Sequence, residues 1–141
     1  MKPINSLLML FGRWCIAAIF IFGGLGKFIN YDATAAYMAA KGLAPIPILL
    51  VISALVEIIG GCSLILGYKT RWGALLLLLF LIPTTLIFHD FWNVTGEGRT
   101  LQLIEFLKNL AIFGGLLYVL VKGAGSIACD VFHKHKEPEH H

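Results

Sequence analysis

Four stretches of mainly apolar residues, each about 20 residues long, constrain this chain more than any other feature of its sequence. A run of that length is what a helix needs to cross the hydrocarbon core of a bilayer. The predicted spans cover residues 6–28, 48–67, 72–92 and 101–121. The fold class that follows is all-α: an integral membrane protein built as a bundle of four transmembrane helices.

The composition excludes the main classes of soluble protein. Hydrophobic residues make up 58% of the 141 residues and charged residues 13%, which is about half the charged share of an average soluble domain. A soluble enzyme of this size could not bury so much apolar surface. A formal net charge of +3 is also too small to indicate a nucleic-acid partner. The lipid bilayer is therefore the expected surroundings of the chain.

The chain divides into one membrane domain, residues 1–131, and a polar, histidine-rich tail, residues 132–141. The tail is expected to be solvated, and we predict no metal site in it. The three cysteines are far apart in sequence and form no C-x-x-C pair, which argues against a disulfide framework, a zinc site or a thiol redox pair. They are Cys15, Cys62 and Cys129.

Lysine and arginine residues in the short loops indicate the orientation, because cytoplasmic loops carry an excess of positive charge. The predicted spans place six such residues on the side of the two termini and three on the other side. Both termini are therefore predicted to be cytoplasmic. The first group is Lys2, Lys69, Arg71, Lys122, Lys134 and Lys136, and the second is Lys27, Lys41 and Arg99.

The connection between the first two spans is long enough to hold a further short helix. Asp32 is predicted to cap a helix over residues 33–41, and Gly42 to end it. This Ala-rich helix could lie at the membrane interface as a lid, or it could be a spacer.

Charged and polar residues within the apolar runs are the candidate site. A lone charge at the bilayer centre costs on the order of 3 kcal/mol or more, so such residues usually face the bundle interior and pair with one another. Glu57 lies at the middle of its span, and the rise of a helix places Arg13 on one side of that depth and Lys108 on the other. We therefore predict that Glu57 pairs with Arg13, Lys108 or both. The whole predicted cluster comprises Arg13, Glu57, His89, Glu105, Lys108 and Asn109.

Two interpretations of this cluster remain open: salt bridges that only fix the helix register, or a site that binds a ligand or handles protons. His89 is expected to share a face of the third span with Thr85 and Trp92, and Trp92 is predicted to anchor that span at the interface. The paired glycines in the first, second and fourth spans are expected to allow close helix approach.

Several motifs, taken in order along the chain, resemble the DoxX family of small four-helix membrane proteins. The resemblance implies a bacterial inner-membrane protein and a link to quinone-dependent oxidation of sulfur compounds or to thiol redox systems. The motifs are Arg13 with the segment Phe20–Phe28, Glu57–Gly61 with Leu66, Gly67 and Arg71, His89–Trp92, Lys108–Leu110 with Gly114 and Gly115, and Gly123–Ile127 with Asp130.

The function expected from the cluster and the resemblance is that of a membrane subunit, or partner, of a quinone-linked oxidoreductase. Any redox cofactor is expected to be a lipid-soluble quinone or to belong to a partner protein, because the chain lacks haem, flavin, iron–sulfur and Rossmann signatures. His89, Lys108 and Arg13 could donate to a quinone oxygen, and Glu57 and Glu105 could relay protons. The alternative is a non-enzymatic scaffold or a small-solute permease. The sequence leaves open whether the chain is itself an enzyme, and it is compatible with a redox partner protein or a homo-oligomer.

Overall fold

The computed structural model describes residues 3–134, which form an all-α bundle. Four of its helices are long and apolar enough to cross a membrane, so the predicted fold class is confirmed. Residues 135–141, in the predicted histidine-rich tail, lie outside the described residues. The elements are α1 (Pro3–Ile29), α2 (Tyr31–Ala40), α3 (Ile46–Leu66), α4 (Thr70–Phe88), a 3₁₀ turn (Phe91–Asn93), α5 (Glu97–Lys122) and α6 (Cys129–Lys134).

The long helices alternate in direction, so the bundle has two distinct ends. The termini side carries the starts of α1 and α4, the ends of α3 and α5, and the short helix α6. The α2 side carries α2, the end of α4 and the start of α5. The charge bias of the loops predicts that the termini side is the cytoplasmic one.

The core contains residues from all four long helices, as the sequence predicts for a bundle with one common interior. Helix α4 contributes the largest share, and α1 packs most closely against α3. The core residues are Ala17, Phe20, Leu64, Ala74, Leu77, Leu78, Leu81, Leu116 and Val119.

Glycine allows α1 and α3 to approach closely, as predicted. A Cβ atom at Gly24 would lie 2.8 Å from the backbone oxygen of Ala54, and one at Gly61 would lie 2.7 Å from the Ile21 side chain. Any larger residue at Gly24 would force the helix backbones apart. The close α1–α3 contact therefore depends on this position.

The α3–α4 turn is tight, and glycine is required in it. Gly67 has a φ of +67°, in the left-handed region that glycine adopts most easily. A Cβ atom there would also lie 2.5 Å from the Arg13 side chain and 2.6 Å from Ala128. The turn thus brings the start of α1 and the segment before α6 together at the termini side.

Helix α2 begins two residues earlier than predicted, and Asp32 does not cap it. The N-cap is Asn30, which makes no side-chain capping bond. Gly42, with a φ of +75°, follows the helix end as predicted. Tyr37 donates a hydrogen bond to the Phe88 carbonyl oxygen (3.2 Å), which holds α2 against the end of α4.

Helix α4 ends at Phe88, four residues before the predicted end of its span. His89 has non-helical backbone angles (φ −120°, ψ 48°), so Thr85, His89 and Trp92 do not share one helical face. That expectation was wrong. The polar side chain of Asp90 bonds to Lys41 (2.6 Å) and Asn93 (3.2 Å) and directs the chain into the 3₁₀ turn.

Candidate functional site

The central ion pair of the bundle joins Glu57 on α3 to Lys27 on α1. Glu57 lies near the middle of α3 and is buried, and the exposed fractions of the two side chains are 21% for Lys27 and 10% for Glu57. Gly23 makes room for the carboxylate, because a Cβ atom there would lie 3.0 Å from Glu57 Oε1. A charge-paired carboxylate close to the middle of an apolar bundle is the arrangement that burial in a membrane requires.

The predicted pairing of Glu57 with Arg13 or Lys108 is therefore wrong. Side chains on a helix lean toward its N-terminus. Lys27, near the end of α1, thus leans back toward the bundle middle, whereas Arg13 leans toward the termini side. Glu57 leans toward the α2 side, where Lys27 is within reach.

Arg13 is almost completely buried (2% exposed) and binds backbone oxygens at the termini side. It donates to the carbonyl oxygens of Leu64 (2.9 Å) and Ile127 (2.6 Å). Its Nε atom has no hydrogen-bond partner among the described residues. Arg13 therefore connects α1 to the end of α3 and to the segment before α6.

Asp130 caps α4 from a distant part of the chain. Its carboxylate accepts hydrogen bonds from the backbone N–H groups of Lys69 (2.7 Å) and Thr70 (3.2 Å). Free N–H groups at a helix start favour such a negative partner. The capping role of Asp130 was not predicted, although the residue belongs to the closing segment on which the family resemblance partly rests.

An apolar cavity of about 250 Å³ lies between α2, α3 and α4, next to the central ion pair. Its polar wall residues are Lys27, Ser53 and Thr84. The Lys27 ammonium group is also 5.9 Å from the centre of the Phe80 ring, which lines the same cavity. The apolar wall consists of Met38, Leu43, Leu49, Ile52, Val56, Phe80, Pro83, Ile87 and Phe88.

The predicted site residues of α5 divide between two surfaces. Asn109 faces α4 and donates to the Thr85 hydroxyl (3.0 Å). Lys108 and Glu105 pair with each other (2.7 Å) on an open surface, with 55% and 44% of their side chains exposed. These two residues therefore do not join the central pair.

Residues at the α2 side form small contacts of their own. His89 Nδ1 lies 3.1 Å from the Gln102 side-chain oxygen. Trp92 is half exposed and makes edge-to-face contacts with Phe91 and Phe106, at centroid distances of 5.2 and 6.1 Å. Both ring contacts are of the favourable edge-to-face type. His89 is not among the residues that line the cavity.

Comparison with known proteins identifies the family of the chain. The DoxX family model matches residues 8–90. The chain belongs to the DoxX family. It is 36% identical to the inner membrane protein YphA of Escherichia coli K12 over 127 residues, 89% of this chain and 90% of YphA. It is 34% identical to the inner membrane protein YqjF of the same strain over 130 residues, 92% of this chain and 95% of YqjF.

A eukaryotic relative matches only part of its own length. The ER-derived vesicles protein ERV29 of Saccharomyces cerevisiae is 36% identical over 73 residues, 52% of this chain and 24% of ERV29. No solved structure matches the chain. Together with the four apolar helices, the full-length bacterial relatives make this DoxX protein an integral inner-membrane protein.

The DoxX match includes the central ion pair and the cavity but not α5. Residues 8–90 contain Arg13, Lys27 and Glu57 and the whole cavity wall. The Lys108–Glu105 pair lies outside that range. Among the predicted site residues, Glu57 is thus the one that combines a central position, an ionic partner next to the cavity, and a place within the family match.

Proposed function

We propose that this DoxX-family protein binds the head group of a lipid-soluble quinone and acts as the membrane subunit, or partner, of a quinone-linked oxidoreductase in a thiol or sulfur redox system. The observation that carries the proposal is the position of Lys27. Its ammonium group pairs with Glu57 and its side chain lines an apolar cavity.

The cavity suits a ring rather than a whole lipid. Its volume of about 250 Å³ is just below the usual range for complete small-molecule sites, about 300–1,000 Å³. A quinone ring would lie between apolar side chains, and its isoprenoid tail would extend into the surrounding lipid. The predominance of apolar wall residues is typical of such sites.

The chemistry of Lys27 and Glu57 matches the needs of a quinone oxygen. A lysine ammonium group has three N–H donors, and the bond to Glu57 requires only one of them. A second donor can bind a carbonyl oxygen, and the Glu57 carboxylate can hold a proton beside it. A bound quinone would accept two electrons and two protons, the electrons coming from a redox partner protein with its own electron donor.

The proposal places the hydrogen-bond donor at Lys27 rather than at His89, Lys108 or Arg13. His89 is next to Gln102, and Arg13 binds backbone oxygens at the opposite end of the bundle. Lys108 faces the open surface of α5. Of these four cations or donors, Lys27 alone lines the cavity beneath α2.

Equilibrium binding of decylubiquinone to the purified protein in lipid nanodiscs tests the proposal. The key variant is the double substitution Lys27→Met with Glu57→Gln, which removes the donor without leaving a single buried charge. The matched control is Lys108→Met, which removes a lysine from the span but not from the cavity. We expect binding to the parent and to the control, and at least a tenfold loss in the double variant, as expected for about 1.4 kcal/mol or more.

Absence of binding to the parent protein would refute the proposal. Equal binding by the parent and the double variant would remove Lys27 from the site. A parent without binding would favour the scaffold alternative, for which the specific observation is the use of Arg13 and Asp130 to hold helix ends together.

A further inference from the structure

The Lys108–Glu105 pair lies deep in its span but on an open surface. Helix α5 runs from Glu97 to Lys122, so the rise of a helix places Lys108 about 2 Å and Glu105 about 7 Å from its middle. About half of each side chain is exposed, 55% for Lys108 and 44% for Glu105. Both charges therefore lie at hydrocarbon depth, and the described chain covers only about half of each side chain.

Ionisable residues at this depth almost always face protein or a water-filled cavity rather than lipid. Even a neutral pair keeps hydrogen-bonding groups that hydrocarbon cannot satisfy. Glu57 and Arg13, which are buried in this bundle, follow that rule. The exposed Lys108–Glu105 pair on α5 is the exception, which indicates that the surface of another protein covers this pair.

The surface around the pair has the spacing of a helix–helix contact. Residues at alternating intervals of four and three form a continuous stripe on α5, the spacing by which one helix packs along another. The stripe includes the small exposed residue Ala111 near its middle, which allows close approach in membranes. It consists of Ile104, Lys108, Ala111, Gly115 and Tyr118. All of these are exposed except Gly115, which is partly covered by Ile16 of α1, because a Cβ atom at Gly115 would lie 3.0 Å from that side chain.

We infer that this stripe is the contact surface for a second copy of the same chain, with α5 packed against α5 in a parallel pair. With a two-fold axis normal to the membrane, each residue lies at the same depth as the identical residue of the second copy. The two Lys108–Glu105 pairs then meet at one level as two positive and two negative charges. The chain thus supplies its own complement, and no partner with an unmatched charge at that depth is needed.

Disulfide cross-linking in native membranes tests the inference. The chain's own cysteines are exposed and would interfere, so Cys15, Cys62 and Cys129 are first replaced by alanine. In that background Ala111→Cys is compared with Leu110→Cys. The two positions are adjacent and at the same depth, and Leu110 is also exposed (55%), but a helix turns it about 100° away from the stripe.

Under mild oxidation we expect Ala111→Cys to give a product of twice the 15.5 kDa chain mass and Leu110→Cys to give none. Cross-linking at both positions or at neither would overturn the inference. A product of Ala111→Cys with a different mass would identify another membrane protein as the occupant and overturn it too.

A bulky substitution within the stripe provides an independent measurement. Ala111→Leu should convert the dimer to monomer, as measured by light scattering in detergent, while the helix content in circular dichroism remains that of the parent. Leu110→Ala, the control on the other face, should remain dimeric. A dimeric Ala111→Leu variant would contradict the proposed contact.

Discussion

Removal of the Lys27 charge should destabilise the bundle more than removal of both members of its ion pair. Lys27→Met leaves the Glu57 carboxylate buried near the middle of α3 without its ionic partner. Replacing both residues, as Lys27→Met with Glu57→Gln, leaves a neutral and well-filled interior. The comparison isolates the cost of an uncompensated charge.

The magnitude follows from the burial of the pair. Breaking one partner of a buried salt bridge costs about 3–5 kcal/mol, whereas replacing both by groups of similar volume is often neutral. The Lys27 side chain keeps 21% of its exposure, so we expect the lower limit, about 3 kcal/mol, for Lys27→Met. The double variant should lie within about 1 kcal/mol of the parent, since the pair is lost as a unit.

The reverse single substitution should cost less. In Glu57→Gln the remaining charge is on Lys27, near the end of α1 on the α2 side. A long lysine side chain can turn toward the membrane interface and keep its ammonium group hydrated. The order of stability is therefore expected to be parent, double variant, Glu57→Gln and then Lys27→Met.

Reversible unfolding in mixed micelles, by titration with sodium dodecyl sulfate and followed by circular dichroism, measures these free energies. All four proteins are needed for the double-mutant cycle. If Lys27→Met unfolds at the same detergent fraction as the parent, the carboxylate is not confined to a dry interior. If the double variant is as unstable as Lys27→Met, lost packing rather than the bare charge explains the loss.

Three further predictions concern other contacts of the structure. Asp130→Ala should lower stability by about 1 kcal/mol through loss of the α4 cap, and Asp130→Asn should retain most of it; equal thermal midpoints for the parent and the alanine variant would contradict the capping role. Gly24→Ala should lower the thermal midpoint, because its Cβ would lie 2.8 Å from a backbone oxygen of α3, whereas Gly26→Ala meets nothing within 4 Å and should not. In a cysteine-free background, Lys69→Cys should react with an impermeant thiol reagent from the cytoplasmic side and Arg99→Cys from the opposite side; labelling of both from one side would refute the topology.

The architecture could be predicted because length and hydropathy determine a membrane helix almost by themselves. The face of α1 that packs into the bundle also follows from the sequence, since Arg13, Ala17, Phe20 and Gly24 recur at helical spacing and are all buried. A fixed helical period places these residues on one face regardless of what lies opposite. The end of α4 was less predictable, because the run of apolar residues continues in Phe91 and Trp92 after the helix has stopped.

The ion pairs were harder to predict because depth specifies only one coordinate. Glu57 and Arg13 have compatible depths, but the lean of each side chain sends them toward opposite ends of the bundle. Applying that lean to the sequence would have identified Lys27. The exposure of the Lys108 side chain could not be predicted in this way, since it depends on the distance between α5 and α1. The sequence of one chain carries little information about that separation.

The two carbonyl contacts of Arg13 set an order of events during synthesis. Its hydrogen bond to Ile127 joins residues 114 positions apart, and a ribosome needs on the order of 10 s to add that many residues. Throughout that interval α1 has already emerged with a guanidinium group that lacks this acceptor. We expect the nascent helix to keep Arg13 near the lipid head groups or beside the insertion machinery, and to reach its final depth only when the segment that contains Ile127 has been synthesised.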